Sequence, residues 1–321
     1  MGGGKLLTEI LKIFNEDKQN VKVITSKRQI NENISENETL ISFLKKNNFT
    51  YQLEKTLNSK IFGKHNFDCK KSILISVGSP WIFSEDHIKK FPLGAFNIHG
   101  ARLPQDKGGG GFSWQIMQGK NIGFALIHQI SAKIDDGKIL FFDEFHYGKN
   151  TNPHERNEVY IQKTLRLFKA NYLKLFDISK INAKDQLSFF SSYWPRLNNK
   201  VHGWINWNWN GEQIINFINA FDNPYSGAQT KYKNKTIHLK NCFYDNLDGN
   251  FHPFQSGIIF RITKNYIAIS TQGGTLSVGE IYNENGSLIS KNKFKLGERL
   301  FTPSKILENA LETRVFYTSE K

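Results

Sequence analysis

Ala95-Phe96-Asn97-Ile98-His99-Gly100-Ala101-Arg102-Leu103-Pro104 is the stretch that decides how this chain is read. Residues two apart on a strand project from the same face, so Asn97 and His99 share one face while Phe96 and Ile98 take the other. Gly100 ends the strand. The polar pair therefore stands at a carboxyl end, where open α/β sheets form their ligand crevices.

Upstream, Ser72-Ile73-Leu74-Ile75-Ser76-Val77 is a continuous apolar run of strand length, suited to a sheet covered on both faces. Val21-Lys22-Val23-Ile24-Thr25 reads as another strand, followed by a polar loop and a helix near residues 38–46. Downstream, residues 124–129 and 139–145 read as strands, and residues 153–176 as a long helix carrying Tyr160, Thr164, Leu165, Phe168 and Tyr172 on one side. Strands alternating with helices predict an α/β sheet, mostly parallel, with right-handed crossovers. The chain opens Met1-Gly2-Gly3-Gly4 and passes directly into an amphipathic helix with Leu6, Leu7, Ile10, Leu11 and Phe14. A glycine turn before such a helix usually follows a strand, so the first strand of the sheet is expected to be missing; an upstream coding segment rich in Ile and Val would support this.

Around Tyr193-Trp194-Pro195-Arg196 the character changes to that of a linker. Beyond it come a helix at residues 211–221 and short strands at 236–239, 257–262, 266–270 and 275–281, separated by Gly and Asn turns, then a final helix at 304–310. Such a run suggests a small barrel. The expected division is a catalytic domain over 1–190, a linker over 191–202 and a barrel domain over 203–321.

Two cysteines, Cys69 and Cys242, are too few for a disulfide framework and lack zinc-site spacing, so a reducing compartment and no metal are expected. No apolar run approaches the roughly 18 residues of a membrane span. A cytoplasmic protein without membrane partners is the expectation. The net charge of +14 suits a nucleic acid or any phosphate-bearing substrate, although dispersed lysines on a solvated surface give the same balance. Gly108 to Gly111 match neither a phosphate loop followed by Lys-Ser/Thr nor G-x-G-x-x-G after a strand, which argues against a nucleotide hydrolase.

Ile134-Asp135-Asp136-Gly137-Lys138-Ile139-Leu140 sets two carboxylates in a tight turn before an apolar strand. Either could be a plain turn former, as Asp often is, and His99 an ordinary buried histidine. If one carboxylate reaches the imidazole, it fixes the tautomer and raises the basicity of the other ring nitrogen, giving a general base near neutral pH. Asn97 supplies an amide donor for an oxyanion. Together these parts describe acyl transfer to an amine.

Read in order, Asn97-Ile98-His99 with Leu103-Pro104, then Lys107-Gly108-Gly109 and Trp114, then Ile134 to Leu140, closely resemble the 10-formyltetrahydrofolate-dependent formyltransferase family, which includes methionyl-tRNA and sugar-nucleotide N-formyltransferases. The likeness continues in Trp204-Ile205-Asn206-Trp207, in Ala220 to Ala228 and in residues 296–302. It implies a Rossmann-like catalytic domain and an OB-like barrel. Carried over by position, Asn97, His99 and Asp135 match the catalytic Asn, His and Asp, while Asp136 falls where the family often has Thr. Lys138 departs from the usual Asp, and Gln105-Asp106-Lys107 from the commoner basic and aromatic mixture. The resemblance also implies 10-formyltetrahydrofolate as formyl donor, its pteridine against Trp81, Ile82 and Phe83 and the segment leading to Asp135.

The tRNA-modifying members carry a long basic insertion after the second strand. Here Ser26-Lys27-Arg28-Gln29-Ile30 gives way to Glu32, Glu36 and Glu38, which would repel a phosphate backbone. The expected acceptor is the amino group of a nucleotide-linked sugar, with methionyl-tRNA as the alternative and a catalytically silent RNA-binding protein as a third. A homodimer is left open.

Overall fold

A computed structural model describes residues 1–57, 61–63 and 68–315. In the first half, β1 (Lys22–Thr25) pairs in parallel with β2 (Thr50–Leu53), and β3 (Leu74–Val77) pairs in parallel with β4 (Ala95–His99). Beyond β4 the direction changes. β5 (Ile122–Gln129) lies antiparallel to β4, and β6 (Ile139–His146) antiparallel to β5. The expectation of a mostly parallel sheet therefore fails on this side. The connection between β5 and β6 is too short for a parallel crossover, which needs a dozen or more residues, so the chain turns back as a hairpin.

Met1 to Gly3 join the two parallel pairs. Gly2 N–H donates to Ile24 O at 3.0 Å and Gly3 N–H to Val77 O at 3.2 Å, while Met1 O accepts from Val77 N–H at 2.8 Å. Gly2 has φ +126°, and a Cβ there would lie 1.9 Å from Val77 O, so only glycine fits. Beside Met1, residues Lys22, Val23, Ile73 and Ile75 line a cavity of about 410 Å³.

Helices α1 (Gly4–Glu16) and α4 (Pro153–Asn171) cover one face of the sheet, with α2 (Leu40–Lys46) beside α1 and α3 (Gly111–Met117) between β4 and β5. α4 starts where Asn152 Oδ1 accepts from Glu155 N–H at 3.0 Å, with Pro153 in the first turn. Its apolar stripe buries Tyr160, Ile161 and Phe168 with Ile10 and Leu11 of α1 and Phe96 and Ile98 of β4. That packing commits Asn97 and His99 to the opposite face. The predicted continuation to residue 176 is a 3₁₀ turn.

The second half holds α5 (Gly211–Ala220), then β7 (Ala228–Tyr232), β8 (Lys235–Asp245), β9 (Ile259–Ile262), β10 (Ile267–Thr271), β11 (Gly274–Asn283) and α6 (Ser304–Glu312). The strands form one antiparallel sheet in the order β7-β8-β11-β10-β9. Single bridges from Phe301 to Lys231 and from Arg299 to Ile258 reach its two edges, but among the described residues no ladder closes it into a barrel. α5 lays Ile214 and Ile218 onto a core with Leu239, Ile269 and Val278. The halves also touch directly: Ser113 Oγ donates to Ala220 O at 2.8 Å, and Ile116 belongs to the second core.

Residues 193–194, expected to be a linker, pair in parallel with Lys107–Gly108. Trp194 Nε1 donates to Asp106 Oδ1 at 3.2 Å and Trp114 Nε1 to Pro195 O at 2.8 Å. This segment is docked on the glycine turn. No helix among the described residues is long and apolar enough to cross a membrane.

Candidate active site

Asn97, His99 and Asp135 meet in one cleft of about 350 Å³ at the carboxyl ends of β3 and β4. Trp81, Ile82 and Phe83 also line it, so all six residues singled out in the sequence border the same space. Trp81 is fixed by Nε1 donating to Lys55 O at 3.2 Å; Phe83 is buried, and Ile82 is exposed. Among the described residues no group of three or more His, Cys, Asp or Glu side chains could hold a metal ion.

Asp135 sits at φ +49°, in the left-handed region that non-glycine residues rarely adopt. Several contacts hold it there. Gln186 Nε2 donates to Asp135 O at 2.8 Å and to Gly137 O at 2.7 Å, and Asp135 Oδ2 accepts from Gly108 N–H at 3.0 Å. Gly137 approaches β5 so closely that a Cβ would lie 1.9 Å from Gln129 O. Asp136 makes an ion pair with the buried ammonium of Lys107. Gly108 has φ +100°, and a Cβ on it would meet Trp194 O at 2.3 Å, which explains the Lys-Gly pair in the motif.

The geometry around His99 differs from the expected one. Its Nδ1 lies 3.9 Å from Asp135 Oδ1, beyond hydrogen-bond reach, while its Nε2 lies 3.2 Å from Asp106 O. A carbonyl accepts only, so Nε2 carries the proton and Nδ1 keeps the lone pair. The main-chain carbonyl therefore selects the tautomer. Asp135 is close enough for its charge to act on a protonated ring without a hydrogen bond.

Sequence reading missed His128. It is the register partner of Asn97 on β5 and is buried. His128 Nδ1 lies 2.7 Å from Gln129 O and so bears the proton; Nε2 then accepts from Asn97 Nδ2 at 3.0 Å. This bond holds the Asn97 amide in place. The second amide hydrogen faces Asp135 Oδ1 at 3.5 Å, a contact weak enough to give way to a stronger acceptor.

Burial pushes the Asp135 carboxyl upward, but His99 and His128, which act on it in their charged forms, and the Gly108 N–H outweigh it and hold the group well below the usual carboxylate range. Because the folded value is depressed, the stability this group contributes is complete above the unfolded value and is lost as pH falls through the folded one. Asp135→Asn should accordingly flatten the fall in urea midpoint between about pH 5 and pH 2 relative to the parent. An identical acid slope in the two proteins would refute this.

Gln186 was also missed, and its role is to position rather than to react. Gln186→Ala should lower kcat by roughly tenfold to a hundredfold with KM for the donor little changed, since small misplacements of a catalytic group cost up to about 10²-fold. Gln186→Glu, which cannot donate to two carbonyls when ionised, should fail to rescue it.

An imidazole, an oriented amide and an embedded carboxylate thus border one cleft on an α/β sheet, the parts that group transfer to an amine would need. Comparison with known proteins narrows the class. Residues 1–164 match the family model described as formyl transferase, and residues 199–299 the one described as formyl transferase, C-terminal domain. The chain belongs to the formyl transferase family. The methionyl-tRNA formyltransferase of Rickettsia bellii is 27% identical over 234 residues, covering 73% of this chain and 72% of the relative. The bifunctional polymyxin resistance protein ArnA of Wigglesworthia glossinidia brevipalpis is 27% identical over 220 residues, or 67% of this chain; the match spans only 33% of that longer protein. Among solved structures, the sugar 3N-formyl transferase WlaRD superposes with a TM-score of 0.66 at 20% identity, covering 87% of this chain and 95% of that one. The N-formyltransferase of Helicobacter canadensis, with folinic acid and dTDP-3-aminofucose, gives 0.65 at 18% identity, covering 88% and 97%. At such identities the structural likeness is one of fold.

Proposed function

We propose that this protein transfers the formyl group of 10-formyltetrahydrofolate to the amino group of a nucleotide-linked sugar. The observation that carries the proposal is the convergence of Asn97, His99 and Asp135 in one cleft, in a chain of this family. The cleft, lined by Trp81, Phe83, Ser131, Ile134 and Asp135, suits a flat polar heterocycle. In this reading the donor supplies a formyl carbon that the amine attacks, with loss of its bond to N10. Asn97 Nδ2 donates to the formyl oxygen as negative charge develops there, while His128 keeps the amide oriented. His99 Nδ1 accepts the amine proton and is placed to return it to the departing nitrogen. Asp135 stabilises the charged ring from 3.9 Å.

Two features favour a sugar acceptor. Glu32, Glu36 and Glu38 follow β1 where a basic surface would suit a tRNA stem, and of the two fold neighbours one is described as a sugar 3N-formyl transferase and the other is in complex with dTDP-3-aminofucose. Methionyl-tRNA is the second reading, favoured by the sequence relatives and by the net charge of +14. Tetrahydrofolate release measured with a panel of dTDP- and UDP-amino sugars, against charged initiator tRNA, decides between them. Turnover with at least one amino sugar is expected; turnover with the tRNA alone would overturn the assignment.

A further inference from the structure

We propose that the Asp106 side chain, held by Trp194 and Lys120, is a positioning residue for His99: it fixes the main-chain carbonyl on which the imidazole rests. The inference depends on the formyl-transfer reading of the cleft. Asp106 stands where the sequence departs from the basic and aromatic mixture expected before the glycines, and no step assigned above uses its carboxylate.

A main-chain carbonyl in a turn can orient a histidine only if its own peptide plane is fixed, because soft dihedrals flank every peptide unit. Asp106 is tied down through both its main chain and its side chain. Its N–H donates to Arg102 O at 2.7 Å, its Oδ1 accepts from Trp194 Nε1 at 3.2 Å and from Lys120 Nζ at 3.3 Å, and its O lies 3.2 Å from His99 Nε2. The carboxylate side chain is only 10% exposed. Burying a charge is unfavourable unless it is paired and hydrogen-bonded, and here the indole N–H and the ammonium supply both. A plain turn former would need neither partner.

The brace continues along the next three residues. Lys107 N–H donates to Ser192 O at 3.1 Å while its ammonium pairs with Asp136, Gly108 N–H reaches Asp135 Oδ2 at 3.0 Å, and Gly109 N–H donates to Trp194 O at 3.1 Å. Residues 106–108 thus hold both His99 and Asp135, and residues 192–194 hold that segment in turn. The Trp194 ring lies against Trp114, with 5.5 Å between centroids. His99 Nδ1 and Asp135 Oδ1, 3.9 Å apart without a direct bond, therefore owe their spacing to this segment.

Asp106→Ala removes the anchor and leaves the carbonyl. Nitrogen NMR of the full chain with isotope-labelled histidine, the His99 signals being those missing from His99→Ala, reads the tautomer directly. The parent should show the Nε2–H form and Asp106→Ala a mixture of the two. In the same variant kcat should fall by roughly tenfold to a hundredfold, as for a misplaced catalytic group, with KM for donor and acceptor little changed. Asp106→Asn keeps an oxygen for the Trp194 N–H and should restore the parent tautomer and most of kcat. Trp194→Phe keeps a ring against Trp114 but loses the donor, and it carries the Asp106→Ala expectation should that variant not fold.

A merely structural anchor would lower the urea midpoint and leave tautomer and kcat at parent values; that result in the folded variants would overturn the proposal. Mixed tautomers at full kcat would overturn it too, because the carbonyl would then have no bearing on the reaction. A parent that transfers no formyl group would overturn the proposed reaction alone, since the tautomer spectra need no turnover.

Discussion

His99→Ala is expected to lower kcat by about 10²- to 10⁴-fold, the range that a positioned general base contributes, with little change in KM for either substrate. The imidazole makes one main-chain contact, Nε2 to Asp106 O at 3.2 Å, and is not a core side chain, so the fold should survive its removal. Without the imidazole, proton loss from the attacking amine would fall to solvent or to Asp135, a much weaker base than a neutral imidazole. Steady-state rates on amine and donor, with circular dichroism and urea midpoints as controls, check this. A variant that folded normally and kept full turnover would remove His99 from the chemistry.

Asn97→Ala carries the second large effect, a loss of about 10²- to 10³-fold in kcat, as when one donor is taken from an oxyanion site. It also strips His128 Nε2 of the Asn97 contact at 3.0 Å while the ring stays buried. A modest fall in stability should therefore accompany the kinetic loss, of order 1–3 kcal/mol for an unsatisfied buried polar group. His128→Phe separates the two consequences. It removes the orienting bond but keeps the amide, so kcat should fall less than in Asn97→Ala, and the pH dependence of kcat should keep its shape. An Asn97→Ala enzyme with unaltered kcat would mean that the formyl oxygen is bound elsewhere.

Much of the site is legible in the residues because local rules suffice for it. Alternation on β4 puts Asn97 and His99 on one face whatever the rest of the sheet does, and the turn before Ile139 fixes Asp135 near a strand end. His128 was not legible. Its meeting with Asn97 depends on β4 and β5 running antiparallel, and the alternation of strands and helices had favoured a parallel arrangement. Gln186 lies 51 residues from Asp135 in a segment with no periodic signal, and only the tertiary fold brings them together. The Asp106 carbonyl that selects the His99 tautomer is main chain and leaves no mark on residue type.

The fold divides in the same way. The amphipathic spacing of Leu6, Leu7, Ile10 and Leu11 marks α1 by local rules alone, and the apolar stripe behind Pro153 does the same for α4. The joining of β1 to β3 by main chain from Met1 to Gly3 leaves no periodic mark in the residues. In the second half the short, Gly-punctuated strands announce an antiparallel sheet. Whether such a sheet closes depends on long-range pairing at its edges, where only the single bridges at Arg299 and Phe301 reach across.

The central claim, that His99 takes the amine's proton within the chemical step, is tested most directly in a single turnover. With enzyme and 10-formyltetrahydrofolate in excess over an amino sugar the enzyme accepts, the first-order constant for formamide appearance isolates that step from product release. The parent should form product rapidly, and the His99→Ala enzyme about 10²- to 10⁴-fold more slowly at equal donor occupancy. Equal rate constants in the two enzymes would contradict the account.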